Sequence, residues 1–301
     1  MKELLVRSGN EEVLLKTEFE SLIERIKKSQ YIRHIIPDLE LCDISKVGGA
    51  PINLELVAGM GDYEYSGNTM RISADFDTVE EGQISFMIFH CLQSLSLKNS
   101  RYFVHGAAVQ HEQEPYLFLG SPKAGKSTIS LDLALNDGMK IYGDDSISLK
   151  VQDSILILNN GNTHIGINSK LKENPKIKAH YPGELLPYID SRVLNLHTSD
   201  PRELRNVIIL ESDLFATNGN HRILANRGGL YLYEYISRES RGAGYSIFSH
   251  DLPFPSNDTF STARNLIRAI RNSDINYFIV SGSYEDMLSS CRRIIKEKDV
   301  K

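Results

Sequence analysis

Gly120-Ser121-Pro122-Lys123-Ala124-Gly125-Lys126-Ser127-Thr128 fits the pattern G-x-x-x-x-G-K-[ST], a loop that cradles phosphates. The apolar run Tyr116 to Leu119 before it reads as a buried strand. Ser127 to Asn136 after it reads as an amphipathic helix with Ile129, Leu133 and Ala134 on one face. Strand, glycine loop and helix are the context that gives the pattern meaning. The glycines let backbone N–H groups turn inward, and the helix start adds partial positive charge. Lys126 carries a full charge toward the outer phosphates, and Lys123 adds a second cation. Ser127 offers a hydroxyl to Mg²⁺, and Pro122 stiffens the loop. The whole stretch Gly120 to Thr128 is the expected nucleotide-phosphate site.

Tyr142-Gly143-Asp144-Asp145 follows one short helix later. Adjacent side chains on a regular strand point to opposite faces. A bend at Gly143 would let both carboxylates face the phosphates. Phosphoryl transfer needs one acid at a metal and one to receive the proton of the attacking hydroxyl. Either aspartate suits either role; Ser127 with Asp145 is the first choice for the metal. His105-Gly106 breaks an otherwise continuous strand, Arg101 to Gln110, and places a histidine one strand before the loop. Arg227-Gly228-Gly229 and Arg238 to Gly244 are cationic, glycine-containing stretches. Arg227 is a candidate for stabilising charge on a transferring phosphoryl group.

In the order VHGAAV, FLGSPKAGKST, YGDDSISL, the region Tyr102 to Lys150 resembles HPr kinase/phosphorylase and its kinase-like relatives, which share a nucleotide-binding core with ATP-dependent phosphoenolpyruvate carboxykinase. The resemblance implies a P-loop core of that type, ATP and Mg²⁺ as cofactors, and a serine-type hydroxyl as acceptor. It places Gly120 to Thr128 at the phosphates, Ser127 and one of Asp144 or Asp145 at the metal, the other aspartate as base, and His105 near the transferred phosphate. Thr163 to Asn168 lacks the Glu and Arg that the bifunctional family carries there, and Pro253 to Asp258 lacks an Arg. The likeness therefore points to stand-alone HPr-kinase-like proteins, including those that phosphorylate a precursor peptide in natural-product clusters. Such relatives imply a homo-oligomer.

The chain has 301 residues, 41% hydrophobic and 24% charged, enough for a sizeable core. A net charge of −5 argues against general nucleic-acid or membrane binding. Cys42, Cys91 and Cys291 form no CxxC pair, which suits a reducing, cytoplasmic setting. The first residues lack the apolar core of a signal peptide, and Ile84 to Leu92 is too short to span a bilayer.

Residues 1–100 read as an N-terminal accessory region and 101–301 as the P-loop kinase-like domain. The first holds a helix from Glu18 to Lys28, breaks at Pro37 and at Gly48-Gly49-Ala50-Pro51, and strands Leu54 to Ala58 and Thr69 to Ala74 around a loop. A helix from Val79 to Lys98 follows, with Thr78 and Glu81 as a capping box. In the second, strands are expected at Met139 to Tyr142, Ile147 to Val151, Ser154 to Leu158, Val207 to Leu210 and Tyr277 to Val280. Helices are expected at Ser261 to Arg271 and Glu285 to Lys298, and 161–198 reads as irregular. Strands mix with helices without regular alternation, so the fold class is mixed α/β or α+β. The best reading is an ATP-dependent kinase acting on serine of a peptide or protein. A small-molecule kinase, for free serine or a sugar, and a non-catalytic nucleotide-binding regulator are the alternatives.

Overall fold

A hairpin opens the chain. In the computed structural model, which describes residues 1–42, 44, 51–59, 61–167, 169–181, 187–211, 219–240, 246–247, 250–251 and 259–297, β1 (Lys2–Ser8) and β2 (Glu11–Thr17) run antiparallel. They turn at Gly9-Asn10, where Gly9 takes a φ of +62° that favours glycine. Gly48 to Ala50, Asn168, Pro253 to Asp258 and residues 241–244 lie outside the described residues. The helices α1 (Glu20–Lys28) and α2 (Gln30–Ile35) come next, then β3 (Leu39–Cys42), β4 (Ile52–Val57), β5 (Tyr63–Ser66), β6 (Thr69–Ser73) and α3 (Glu81–Lys98). The strands form one sheet, β3-β1-β2-β4-β6-β5. Leu22 and Ile26 of α1 and Ile84 and Ile88 of α3 pack on Val6, Val13, Leu15 and Leu54 in one core.

Two local expectations fail here. The stretch between β4 and β6 is no plain loop, because β5 pairs antiparallel with β6 through Tyr63 and Tyr65. Thr78 and Glu81 form no capping box. Glu80 is the N-cap of α3, Thr78 turns back to Asp75, and Glu81 accepts from Ser29 Oγ at the head of α2. A tertiary partner wins over the local one.

The second half begins with β7 (Arg101–Val104), β8 (Ala107–His111), β9 (Glu114–Gly120), α4 (Lys126–Asp137) and β10 (Lys140–Asp144). A hairpin of β11 (Ile147–Gln152) and β12 (Ile155–Gly161) turns at Asp153-Ser154, both at positive φ. The stretch expected to be irregular carries β13 (His164–Gly166), α5 (Ser169–Lys172), α6 (Pro175–His180) and β14 (Tyr188–Asp190); β13 and β14 pair antiparallel. Then come β15 (Arg202–Glu203), β16 (Asn206–Glu211), β17 (Gly219–Ile223) and α7 (Ala225–Ser240). The chain goes on through β18 (Ser246–Ile247), β19 (His250–Asp251), α8 (Thr259–Asn272), β20 (Asn276–Ser281) and α9 (Tyr284–Glu297). Ser283 caps α9 by accepting from Asp286 N at 3.3 Å.

The central sheet runs β10-β8-β9-β16-β20-β17, with β9, β16 and β20 parallel and the outer strands antiparallel. The fold is mixed α/β. The apolar run of β9 has an exact use: side chains alternate between two cores. Tyr116 and Phe118 join Ile208, Leu210 and α4 on one face; Leu117 and Leu119 join Val207, Ile209 and α7 and α8 on the other. A smaller sheet, β15-β12-β11-β7, packs beside the second face. Phe103 of β7 reaches back into the first core, and Leu97 of α3 reaches forward into the last. Among the described residues no helix is long and apolar enough to cross a membrane.

Arg227-Gly228-Gly229 is not a phosphate-type turn but the first turns of α7. Gly228 is there because the helix lies against β20: a Cβ would stand 2.1 Å from Tyr277 Cγ. Gly→Ala in a helix ordinarily gains roughly 1 kcal/mol, whereas forcing atoms into a packed core costs about 1–3 kcal/mol or more. Packing wins at this distance. Gly228→Ala is expected to lose about 2 kcal/mol in urea unfolding; a gain in stability would contradict the contact.

Candidate functional site

The loop after β9 is shaped by close approach. At Gly120 a Cβ would lie 2.7 Å from the Leu210 carbonyl oxygen and 3.0 Å from Ala124 Cβ. Lys123 (φ +67°) and Gly125 (φ +94°) turn the chain back on itself, and Gly125 starts α4 with no side-chain cap. The start of α4 is thereby set at the loop, and the start of a helix is where backbone N–H groups and the helix dipole favour an anion. Lys126 is 4% exposed, and its ammonium donates to the carbonyls of Gly120 (2.9 Å) and Ser121 (3.2 Å). Burial lowers its pKa, opposed by the charges of Asp145 and Asp144. Those two acids are therefore neighbours of the loop lysine.

The bend expected at Gly143 exists. The β10–β8 register shifts between Ile141 and Gly143, and β10 presses so closely on β12 that a Cβ on Gly143 would lie 2.8 Å from Gly161 Cα. Asp145 then takes a φ of +65°, inside a tight turn closed by Ser146 N donating to Asp144 O at 2.9 Å. A non-glycine residue held this way stores strain of the kind found at functional sites. The turn sends both side chains to one place.

Asp144 has no exposed surface. Its Oδ2 accepts from Gly166 N at 3.3 Å, and its backbone N–H donates to Asn162 Oδ1 at 2.7 Å. Among the described residues its buried Oδ1 has no hydrogen-bond partner. Burial first, then the charge of Asp145, pushes its pKa up to about 6, while His34 and the Ser127 hydroxyl work the other way. A buried carboxylate oxygen left unpaired, on an acid that also has the loop hydroxyl of Ser127 beside it, fits a hard divalent cation, which prefers oxygen ligands. Asp144 and Ser127 are thus the groups suited to hold Mg²⁺.

Asp145 meets a partner that sequence reading did not supply. His34, on α2 of the N-terminal half, brings Nε2 to 2.6 Å from Asp145 Oδ2 and Nδ1 to 2.8 Å from the His164 carbonyl. A carbonyl only accepts, so Nδ1 carries a proton. With Asp145 ionised, Nε2 carries one too, and the pair is imidazolium and carboxylate. Burial works to lower the pKa of His34, but the hydrogen bond to Asp145 and the charges of both aspartates outweigh it and raise it. Burial works to raise Asp145; the bond and charge of His34, then His105 and Lys126, hold it below the usual range. Asn162 braces the set by donating to the His164 carbonyl at 2.6 Å. His34 also lies against the Tyr188 ring, centroids 4.5 Å apart. Among the described residues, ligand atoms of His34, Asp144 and Asp145 fall within 4.8 Å of one another.

His105 stands at the break between β7 and β8, its Nε2 3.7 Å from Asp145 Oδ1. Burial lowers its pKa, partly offset by Asp145. Arg227 is exposed on the first turn of α7. Arg238, near the far end of that helix, is the arginine whose charge reaches His105. Tyr235, one turn before it, lies against Ser121 of the loop. The structure thus brings together Lys126, Ser127, Asp144, Asp145 and His105 and adds His34.

No protein-family model matches the chain, and no curated protein matches it. Among solved structures, the HPr(Ser) kinase/phosphatase from Coxiella burnetii is similar at 15% identity and a TM-score of 0.34, over 65% of this chain and 98% of that one. That likeness is distant, and no residue's role below rests on it.

Because Asp144 must be ionised to serve a cation, Mg²⁺-dependent nucleotide affinity is expected to fall as pH drops through about 6. One proton in competition gives roughly a tenfold loss per unit below that point. Titration calorimetry with Mg²⁺ and a non-hydrolysable ATP analogue between pH 5 and 7.5 reads this directly. A flat profile would contradict the role given to Asp144.

Proposed function

We propose that the chain is an ATP-dependent kinase that transfers phosphoryl to an alcohol hydroxyl, with serine of a cytoplasmic peptide or protein as acceptor. The observation that carries this reading is the convergence of a lysine-bearing glycine loop, an orphaned buried carboxylate and a histidine-clamped second carboxylate in one place. In this reading the loop Gly120 to Thr128 holds the nucleotide phosphates through backbone N–H groups, Pro122 having none to give, and the Lys126 ammonium leaves its carbonyl perch for the outer ones. Asp144 and Ser127 hold Mg²⁺, which supplies charge neutralisation at the phosphates. This departs from the first choice of Asp145 as metal ligand, because Asp144 is the acid with an unused buried oxygen.

Asp145 orients the acceptor hydroxyl. The acceptor oxygen forms its bond to the γ-phosphorus as the bond from that phosphorus to the β-bridging oxygen breaks; the electron pair leaves with ADP. Asp145 takes the hydroxyl proton. A carboxylate held below its usual pKa is a weak base, and that suffices, since phosphoryl transfer depends more on positioning and charge than on proton abstraction. His34 fixes the carboxylate rotamer.

Incubation with labelled ATP, Mg²⁺ and serine-containing acceptors tests the assignment. Asp145→Asn is expected to lower kcat by about 10²–10⁴-fold with little change in ATP affinity. Undiminished transfer in Asp145→Asn would remove the carboxylate from the reaction.

A further inference from the structure

Beside Asp145 lies a cavity of about 170 Å³ between α2, α3 and β7. Pockets for drug-sized ligands are roughly 300–1,000 Å³, so this one suits a single side chain. Its walls are aromatic. Phe89 and Phe103 face each other with centroids 5.4 Å apart, and Tyr31 meets Phe86 edge-on at 6.0 Å. Its polar end is Asp145, His105 and Ser146. Ser146 is 5% exposed, and among the described residues its Oγ has no hydrogen-bond partner. A buried hydroxyl without a partner beside a reactive carboxylate is a group waiting for a ligand.

Tyr31 has a second face. It also lines an open depression of about 470 Å³ that runs past Lys28, Ser29, Pro187 and Tyr188. One residue thus borders both the shallow outer groove and the smaller, deeper inner cavity. A free small alcohol would need no groove. A serine alone would fill only the polar end and leave the phenyl walls uncovered, forfeiting burial worth about 25 cal/mol per Å².

We propose, resting on the phosphotransfer reading above, that this cavity receives an apolar side chain adjacent to the phosphorylated serine of a peptide lying in the outer groove. The peptide passes Tyr31 and presents its hydroxyl to Asp145, and Ser146 Oγ bonds the peptide backbone. Sequence preference is thereby set by the N-terminal half of the chain.

A panel of peptides with one Ser, and Leu, Phe, Ala, Asp or Lys on either side of it, tests this. The chain has no Trp, so one Trp at the far end of each peptide reports binding without protein background. Nucleotide binding is read separately with a fluorescent ATP analogue. Leu or Phe peptides are expected to exceed Asp or Lys peptides by about tenfold or more in kcat/KM, mainly through KM. Phe86→Ser, at a half-buried wall position, is expected to shrink that ratio below about threefold. Ile35→Phe, which fills the cavity from α2, is expected to raise KM for Leu and Phe peptides more than for the Ala peptide. Equal rates across the panel, or phosphorylation of free small alcohols and of no peptide, would overturn the proposal while leaving phosphotransfer standing. Failure to bind nucleotide would overturn phosphotransfer itself, and this proposal with it.

Discussion

Two carboxylates on adjacent residues repel, and placing them in one buried pocket demands positive charge close by. This constraint governs the centre of the molecule. Asp144 has no exposed surface, and Asp145 is strained at positive φ. Lys126 comes from the loop, His105 from the β7–β8 break and His34 from the other half of the chain to meet them. The asymmetry that results is chemically useful. Burial and its neighbour's charge raise the pKa of Asp144, and direct pairing with His34 lowers that of Asp145. Two acids of the same type thus acquire opposite shifts from their surroundings.

Delivery of His34 ties the two halves together. α2 is only a turn and a half long and is held by Ser29, whose hydroxyl accepts from Ile32 N at 3.0 Å. Behind it a buried polar joint links the N-terminal hairpin to β7. Arg101 pairs with Glu11 and donates to the Ser8 carbonyl and to Ser148 Oγ, both at 2.6 Å, and to Asn160 Oδ1 at 3.2 Å. A buried ion pair of this kind adds little net stability over an apolar substitute. Its directional bonds do fix how the first sheet sits on the second half, and so where α2 points. The Phe103 ring, inserted in the first core below the Arg101 guanidinium, fixes the same register through apolar contact.

Much of this was legible in the residues. β9, the loop, α4 with Gly138 as its left-handed cap, the β11–β12 hairpin, β16, β20, α8 and α9 all carry local signals that agree with their tertiary surroundings. The pairing of Asp144 and Asp145 near Lys126 followed from spacing plus the glycine before them. The partnership of His34 did not. It spans more than a hundred positions, and a lone histidine on a six-residue helix has no periodic signature. β1 and β2 could have been read from KELLVRS and EEVLLKT around Gly9-Asn10, where runs of apolar residues flank a turn dipeptide. α7 was hidden because Gly228-Gly229 looks like a break, and only contact with Tyr277 explains glycine there. Arg238 lay in a stretch noted for its charge, and the path of α7 brings its charge within reach of His105.

The account turns on Asp144 as the acid that shares a cation with Ser127, while His34 keeps Asp145 for the acceptor. A crystal structure with Mn²⁺ and a non-hydrolysable ATP analogue, with the metal located by anomalous scattering, tests it most directly. The account predicts a peak in bonding contact with Asp144 Oδ1 and Ser127 Oγ, with the His34–Asp145 hydrogen bond intact. A metal bound to Asp145 with His34 displaced, or seated away from both aspartates, would contradict it.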